Sequence, residues 1–125
     1  VEYNSIFGKN RPISAIYDSN FIRNKAHYSG LLWGTSIKSL HDLANEKGYS
    51  FIGCNSSGNN AYFIRNDKLN DSVKSVTLDD GFVESKYRES RDENGNLTLL
   101  SKKEARKLLK NINVYNTNTK EIEKF

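Results

Sequence analysis

The sequence predicts a single α/β domain, and three observations lead to that prediction. Apolar residues recur at helical spacing between residues 36 and 47. Two runs rich in strand-forming residues follow at once, separated by a short stretch of turn formers. The chain has 125 residues, 36% of them hydrophobic, which is enough for one moderate core. We therefore expect one α/β domain over residues 1–115 and a polar tail, which frays, over residues 116–125.

The opening residues 1–4 predict the end of a β-strand. Strands usually run for about five or six residues, so the apolar beginning of this one would lie before Val1. The chain starts at Val1 and contains no Met. We therefore expect it to be the carboxyl-terminal fragment of a longer protein.

Residues 5–33 show no sustained period and are rich in aromatic side chains. Long irregular segments in a compact domain often contribute to function or cover a surface. Tyr28 and Trp33 are therefore candidates for a substrate-binding surface. The alternative is that these rings only pin the segment to the core.

A helix is predicted to begin after Thr35 or Ser36, because either hydroxyl can accept a bond from an early backbone N–H. Its inward face is formed by Ile37, Leu40, Leu43 and Ala44. The helix is predicted to end at Lys47-Gly48, where glycine readily takes the left-handed conformation.

Residues 49–55 and 61–65 then predict two strands. The connecting residues 56–60 are turn formers, and so short a connection fits an antiparallel hairpin. Beyond it we expect a loop with one short turn over residues 67–80, a strand or extended cover over residues 82–87, and a turn through Asn94-Gly95. Ser101 and Glu104 form a capping-box pattern that predicts a second helix.

Several segments resemble one protein family. They are residues 1–5, 28–36, 47–49 and 55–65, with further similarity at 82–86 and 88–91. Together they resemble the carboxyl-terminal half of bacterial proteins related to the FkbM-type S-adenosylmethionine-dependent methyltransferases. The resemblance implies a Rossmann-like sheet, in which residues 1–4 end the fifth strand and the hairpin supplies the sixth and seventh.

The resemblance also implies that the cofactor site is absent from this chain. In such proteins the glycine-containing loop and the acidic residue that hold S-adenosylmethionine lie in the amino-terminal half. The chain has no G-x-G-x-x-G pattern, and Gly53 to Gly58 lies within the hairpin with no Lys-Ser/Thr after it. We expect no cofactor in this fragment and S-adenosylmethionine in its parent.

The first candidate site residues are Glu2, Tyr3 and Asn4. Ligands of open α/β sheets bind outside the carboxyl ends of parallel strands, where these residues would lie. Glu2 would act as a base or hold a substrate hydroxyl, Tyr3 would stack, and Asn4 would donate and accept hydrogen bonds. The alternative for Glu2 is a turn cap or an ion pair with Lys9 or Arg11.

Further candidates are Asn55 and Asn60 beside the hairpin turn, and Arg88 and Arg91. The asparagines would contact substrate or simply stabilise the turn, since Asn bonds its own main chain. The arginines bracket Glu89 and would grip a carboxylate or phosphate, or form a surface ion-pair network.

The sequence disfavours metal binding, thiol chemistry and membrane insertion. His27 and His41 have no partner at metal-ligand spacing, and the single Cys54 is predicted to be an inert thiol. One cysteine allows no internal disulfide and favours a cytoplasmic location. No apolar run reaches the length that predicts a membrane span.

The partners we expect follow from charge and from the interrupted sheet. The net charge is +4, but acidic residues interrupt the basic ones, which argues against nucleic-acid binding. A small molecule or sugar is the expected substrate. Missing strands would leave a sheet edge exposed, so we expect a homo-oligomer that covers it. The alternative to an enzyme fragment is a non-catalytic interaction or assembly module.

Overall fold

The computed structural model describes residues 1–86 and 89–125 and has a mixed α/β fold. Its helices are α1 (Arg23–Ala26), α2 (Ile37–Glu46), α3 (Leu78–Gly81) and α4 (Lys102–Leu109), with short 3-10 turns at Ser5–Phe7 and Asn66–Lys68. Its strands are β1 (Ile13–Ser14), β2 (Tyr49–Cys54), β3 (Ala61–Arg65), β4 (Ser90–Arg91), β5 (Leu97–Thr98), β6 (Asn113–Asn116) and β7 (Ile122–Lys124). Within the described residues, no helix combines the length and the apolar character that crossing a membrane requires.

The predicted helix and hairpin at the centre of the chain are confirmed. The Ser36 hydroxyl caps α2 by accepting a bond from Ser39 N at 3.1 Å. Strands β2 and β3 pair antiparallel, with a register shift between Phe51 and Gly53. Helix α2 packs against β2, so the buried Ile37 and Phe51 meet in one core.

The predicted opening strand is reduced to one antiparallel bridge between Glu2 and Asn60. Backbone bonds on either side of the bridge join Tyr3 N to Asn59 O at 2.9 Å and Ala61 N to Val1 O at 2.8 Å. Residues 1–4 therefore lie alongside the start of β3. Every pairing between strands of the described residues is antiparallel.

The prediction that residues 116–125 fray is wrong. Strands β6 and β7 form a hairpin, and β6 also pairs with β1, giving the strand order β1-β6-β7. Thr117 N donates to Pro12 O at 2.7 Å and so extends the pairing beyond β6. The tail is polar because it lies at the surface, yet its backbone is bonded to distant segments.

Two apolar clusters form the core. One contains Tyr3, Ile37, Phe51 and Ala61, between α2 and the β2–β3 hairpin. The other lies between α4, the β1-β6-β7 sheet and residues 31–32, and contains Ile13, Leu31, Leu109 and Val114 among others. The aromatic-rich segment that lacked a period therefore supplies core residues, while Tyr17 in the same segment is exposed.

The carboxyl-terminal predictions are confirmed in part. Helix α4 begins at a capping box in which Ser101 Oγ accepts from Glu104 N and the Glu104 carboxylate accepts from Ser101 N. Strands β4 and β5 enclose the predicted turn, where the Asp92 carboxylate accepts bonds from Asn94 N and Asn96 N. Residues 82–86 belong to no strand, and Tyr87 lies outside the described residues.

Candidate functional site

The first group of candidate residues lies at the opening corner, which we define as residues 1–4 together with the hairpin turn 55–60. Glu2 and Asn60 are directly opposite each other in the antiparallel bridge, so their side chains share one face. Glu2 is exposed and Asn60 is partly buried. The structure thus brings a carboxylate and a carboxamide together from distant parts of the sequence.

Neither basic residue proposed as an alternative ion-pair partner of Glu2 is directed toward it. Lys9 pairs with Asp79, and Arg11 pairs with Glu123. On the face that Glu2 shares with Asn60, the carboxylate is a hydrogen-bond acceptor and the amide is both a donor and an acceptor.

Asn4 contributes to the architecture of the corner. Its Nδ2 donates to Leu31 O at 2.9 Å and Trp33 O at 3.0 Å, and its Oδ1 accepts from Ile6 N at 3.2 Å. The side chain is almost fully buried. The prediction that Asn4 offers its amide to a substrate is therefore wrong, because all of these groups bind main chain and the residue ties the opening segment to residues 31–33.

Tyr3 is also buried, which corrects the expectation that its ring stacks on a substrate. The hydroxyl donates to Val83 O, and the ring packs beside Phe82 at a centroid separation of 6.0 Å. Burial raises the pKa of Tyr3, and the neighbouring Cys54 and Glu84 raise it further. The neutral hydroxyl therefore holds the backbone of Val83 in place by a hydrogen bond.

Asn55 is committed to the hairpin turn. Its Oδ1 accepts from Asn59 N at 3.2 Å and Asn60 N at 3.0 Å, and its Nδ2 donates to Asn59 Oδ1 at 2.8 Å. The turn-stabilising alternative is confirmed for this residue. Among the described residues, the Asn60 side chain makes one long bond of 3.3 Å to Asn59 Oδ1, and it remains the asparagine suited to contact a ligand.

A covering segment, residues 83–85, crosses the corner, within residues 82–87, for which the sequence predicted a strand or an extended cover. Gly58 lies directly beneath it with φ of 68°, and a Cβ there would come within 2.5 Å of Glu84 C and Ser85 N. Glu84 is also ion-paired with Lys102 at the start of α4. The sequence of this segment has no period. The signal for the contact is Gly58, a position that requires both a left-handed backbone and the absence of a side chain.

The second group of candidates surrounds a cleft of about 310 Å³, which we call the arginine cleft. Its lining includes Arg23, Ser29, Glu89 and Arg91. Arg91 is ion-paired with Glu89 at 2.8 Å and donates to Gly95 O at 3.0 Å. The ion-pair alternative is therefore confirmed for Arg91, whereas Arg88 lies outside the described residues.

The aromatic candidates lie near the arginine cleft. The Tyr28 ring stacks on His27 with centroids 4.5 Å apart and is partly exposed. The Trp33 ring faces the Arg23 guanidinium, whose carbon is 5.3 Å from the ring centroid. His27 Nδ1 lies 2.7 Å from the buried Ser29 Oγ, and burial lowers the pKa of His27. Each ring thus contacts another residue of the same irregular segment, an imidazole for Tyr28 and a guanidinium for Trp33.

The two groups are joined through Asn4, whose amide holds the backbone of Trp33 beside the opening segment. Within residues 1–86 and 89–125, no three His, Cys, Asp or Glu side chains cluster as metal ligands would. Glu2 and Asn60 are thus the candidate side chains whose arrangement best suits a ligand. No family model, curated protein or solved structure matches this chain.

Proposed function

We propose that this chain is the substrate-side, carboxyl-terminal part of a longer FkbM-type S-adenosylmethionine-dependent methyltransferase that acts on a small molecule or sugar. The observation that carries the proposal is the backbone pairing of residues 1–4 with β3, and beyond the intervening β1 and α1 the chain supplies α2 and the hairpin. In the resembled Rossmann-like fold, the fifth strand is likewise followed by a helix and an antiparallel hairpin.

The chemistry of Glu2 and Asn60 fits that role. A methyl acceptor with hydroxyl groups needs acceptors and donors that orient it, and a carboxylate beside an amide supplies both. Glu2 also offers a base for the proton that a hydroxyl loses on methylation. The buried bonds of Asn4 and Tyr3 hold this face in place, which makes them positioning residues.

The test compares the chain with the longer protein expected to contain it. Calorimetric titration with S-adenosylmethionine should give saturable binding to the longer protein and none to residues 1–125. In the longer protein, Glu2→Gln should reduce methyl transfer at least tenfold without changing cofactor affinity, while Glu93→Gln, an exposed turn residue, should change neither. Cofactor binding by neither protein would refute the proposal, and unchanged transfer in Glu2→Gln would remove Glu2 from the site.

A second candidate function, an assembly module, is favoured by an exposed apolar face. A groove of about 400 Å³ lies between α2 and β3, and its exposed apolar members are Val1, Leu43, Tyr49 and Tyr62. The outer edge of β2 is covered in part, because Val76 N donates to Phe51 O at 2.9 Å. A partner would therefore bind the apolar face between α2 and β3 and not the outer edge of β2.

The occupant proposed for this face is a second copy of the chain. Glu46 and Lys47 lie together at the end of α2 beside the groove, both largely exposed. Because Glu46 and Lys47 put opposite charges on one surface, the same surface of a second copy carries the complementary charges.

Sedimentation equilibrium tests this candidate. Leu43→Glu should convert a dimer to a monomer, while Leu97→Glu, at another exposed leucine on β5, should leave the dimer intact. A wild-type chain that stays monomeric at every concentration contradicts the second candidate. That outcome leaves the cofactor titration unaffected, so the two proposals fail separately.

A further inference from the structure

A basic cavity lies away from the opening corner, between the loop that follows the first 3-10 turn and the carboxyl-terminal half of α4. Its volume is about 460 Å³, within the range of small-ligand pockets. None of its lining side chains is acidic, and its cations are Lys9, Arg11, Arg106, Lys107 and Lys110. Such a concentration of one charge in a concave site focuses its field on an anion.

Two of the cations already have carboxylate partners at the rim. Lys9 is paired with the exposed Asp79, and Arg11 with Glu123. Among the described residues, Arg106, Lys107 and Lys110 have no acidic partner within ion-pair distance. The cavity therefore presents three uncompensated positive charges.

Arg106 is held in place by the protein backbone. Its Nε donates to Ile6 O at 2.8 Å, which leaves the terminal nitrogens of the guanidinium directed past this carbonyl. Gly8 makes room for them, because a Cβ at Gly8 would come within 2.5 Å of Arg106 Nη2. A guanidinium fixed by its Nε and still carrying terminal N–H donors is suited to bind phosphate oxygens.

The floor of the cavity is apolar. Phe7 and Phe125 have ring centroids 5.6 Å apart, and the Arg11 guanidinium carbon is 5.9 Å from the Phe125 centroid. An apolar floor excludes water from one side and strengthens the attraction between an anion and the cations above it.

Helix stability explains part of this arrangement. Cations in the last turn of α4 interact favourably with the helix dipole, which accounts for basic residues at Arg106 and Lys107. It does not account for the bond from Arg106 to another segment, for the space left at Gly8, or for the cations contributed by Lys9 and Arg11. These features place Lys9, Arg11 and Arg106 around one cavity beside the end of α4.

We propose that this cavity binds a di- or triphosphate group carried by a small molecule, with Arg106, Lys107 and Lys110 as its principal ligands. Three uncompensated cations match the charge of a polyphosphate better than that of a monophosphate. The site is independent of the proposed methyl transfer, since none of its lining residues belongs to the opening corner.

Calorimetric titration of residues 1–125 with pyrophosphate at low ionic strength tests the site. We expect saturable one-to-one binding that is at least tenfold tighter than binding of inorganic phosphate. The double variant Lys107→Gln/Lys110→Gln removes two exposed charges and should weaken pyrophosphate binding at least tenfold. Its matched control, Lys25→Gln/Lys74→Gln, removes the same charge from exposed positions outside the cavity and should bind like the wild type.

Equal weakening in both double variants would show that net charge alone attracts the anion, and it would overturn the proposal. So would the absence of saturable binding, or unchanged binding in Lys107→Gln/Lys110→Gln. Because these lysines are exposed and make no ion pair among the described residues, the variant is expected to fold, which circular dichroism verifies. Amide shifts in a labelled chain should be concentrated at residues 7–11 and 106–110.

Discussion

Replacing Gly58 by Ala probes how the hairpin turn and the covering segment fit together. The residue has φ of 68°, and a left-handed conformation costs a residue with a Cβ about 1–2 kcal/mol. The added methyl group would also lie 2.5 Å from backbone atoms of Glu84 and Ser85, which must then move. Overpacking of this kind costs about 1–3 kcal/mol, so the total loss in unfolding free energy should be about 2–5 kcal/mol.

Gly48→Ala is the matched control. Its φ of 77° imposes a similar conformational cost, but no atom lies within 4 Å of the added Cβ. Urea unfolding followed by circular dichroism should therefore give a loss of only about 1–2 kcal/mol for Gly48→Ala. The difference between the variants measures the contact with residues 84–85. Equal losses would refute the conclusion that the covering segment rests on Gly58.

Two further predictions concern pH and capping. Because burial raises the pKa of Tyr3, this residue contributes stability that is complete below its unfolded pKa of about 10 and is lost as pH rises above it. The unfolding free energy of Tyr3→Phe should therefore fall less steeply with alkaline pH than that of the wild type. Identical pH profiles of the two proteins would contradict this. Ser101→Ala should lose about 1 kcal/mol at neutral pH in urea unfolding. Bonds from Ser101 lower the pKa of Glu104, so the part of this stabilisation that depends on the Glu104 carboxylate is lost as pH falls below the ordinary carboxyl range, while the bond from Glu104 N to Ser101 Oγ remains. A deficit that does not decrease in acid would refute the coupling.

The local elements of this fold were predictable because their signals lie within a few residues of one another. Helix α2 has an amphipathic period and a Ser36 cap, and α4 has its capping box. The central hairpin follows from two strand-like runs and a turn too short for a crossover. Each of these depends on backbone bonds that close small loops, which the order of residues largely determines.

The candidate site was predicted less completely. The sequence singled out Glu2 and Asn60 for separate reasons, and the structure places them opposite each other. The sequence also predicted ligand-binding roles for Asn4, Tyr3 and Asn55, although the polar groups of these residues bond to other parts of the protein. Sequence shows which groups a residue offers but not which backbone atoms already satisfy them.

The sequence by itself determined the two longer helices, the central hairpin and the positions of the turns. Only the tertiary structure decided that the tail pairs with β1, that residues 83–85 cover Gly58, and that cations from both ends of the chain surround one cavity. Strands of two to four residues have no readable period, and their pairing becomes favourable only when distant segments already share a core. Contacts of that kind are a property of the folded chain and not of any window of its residues.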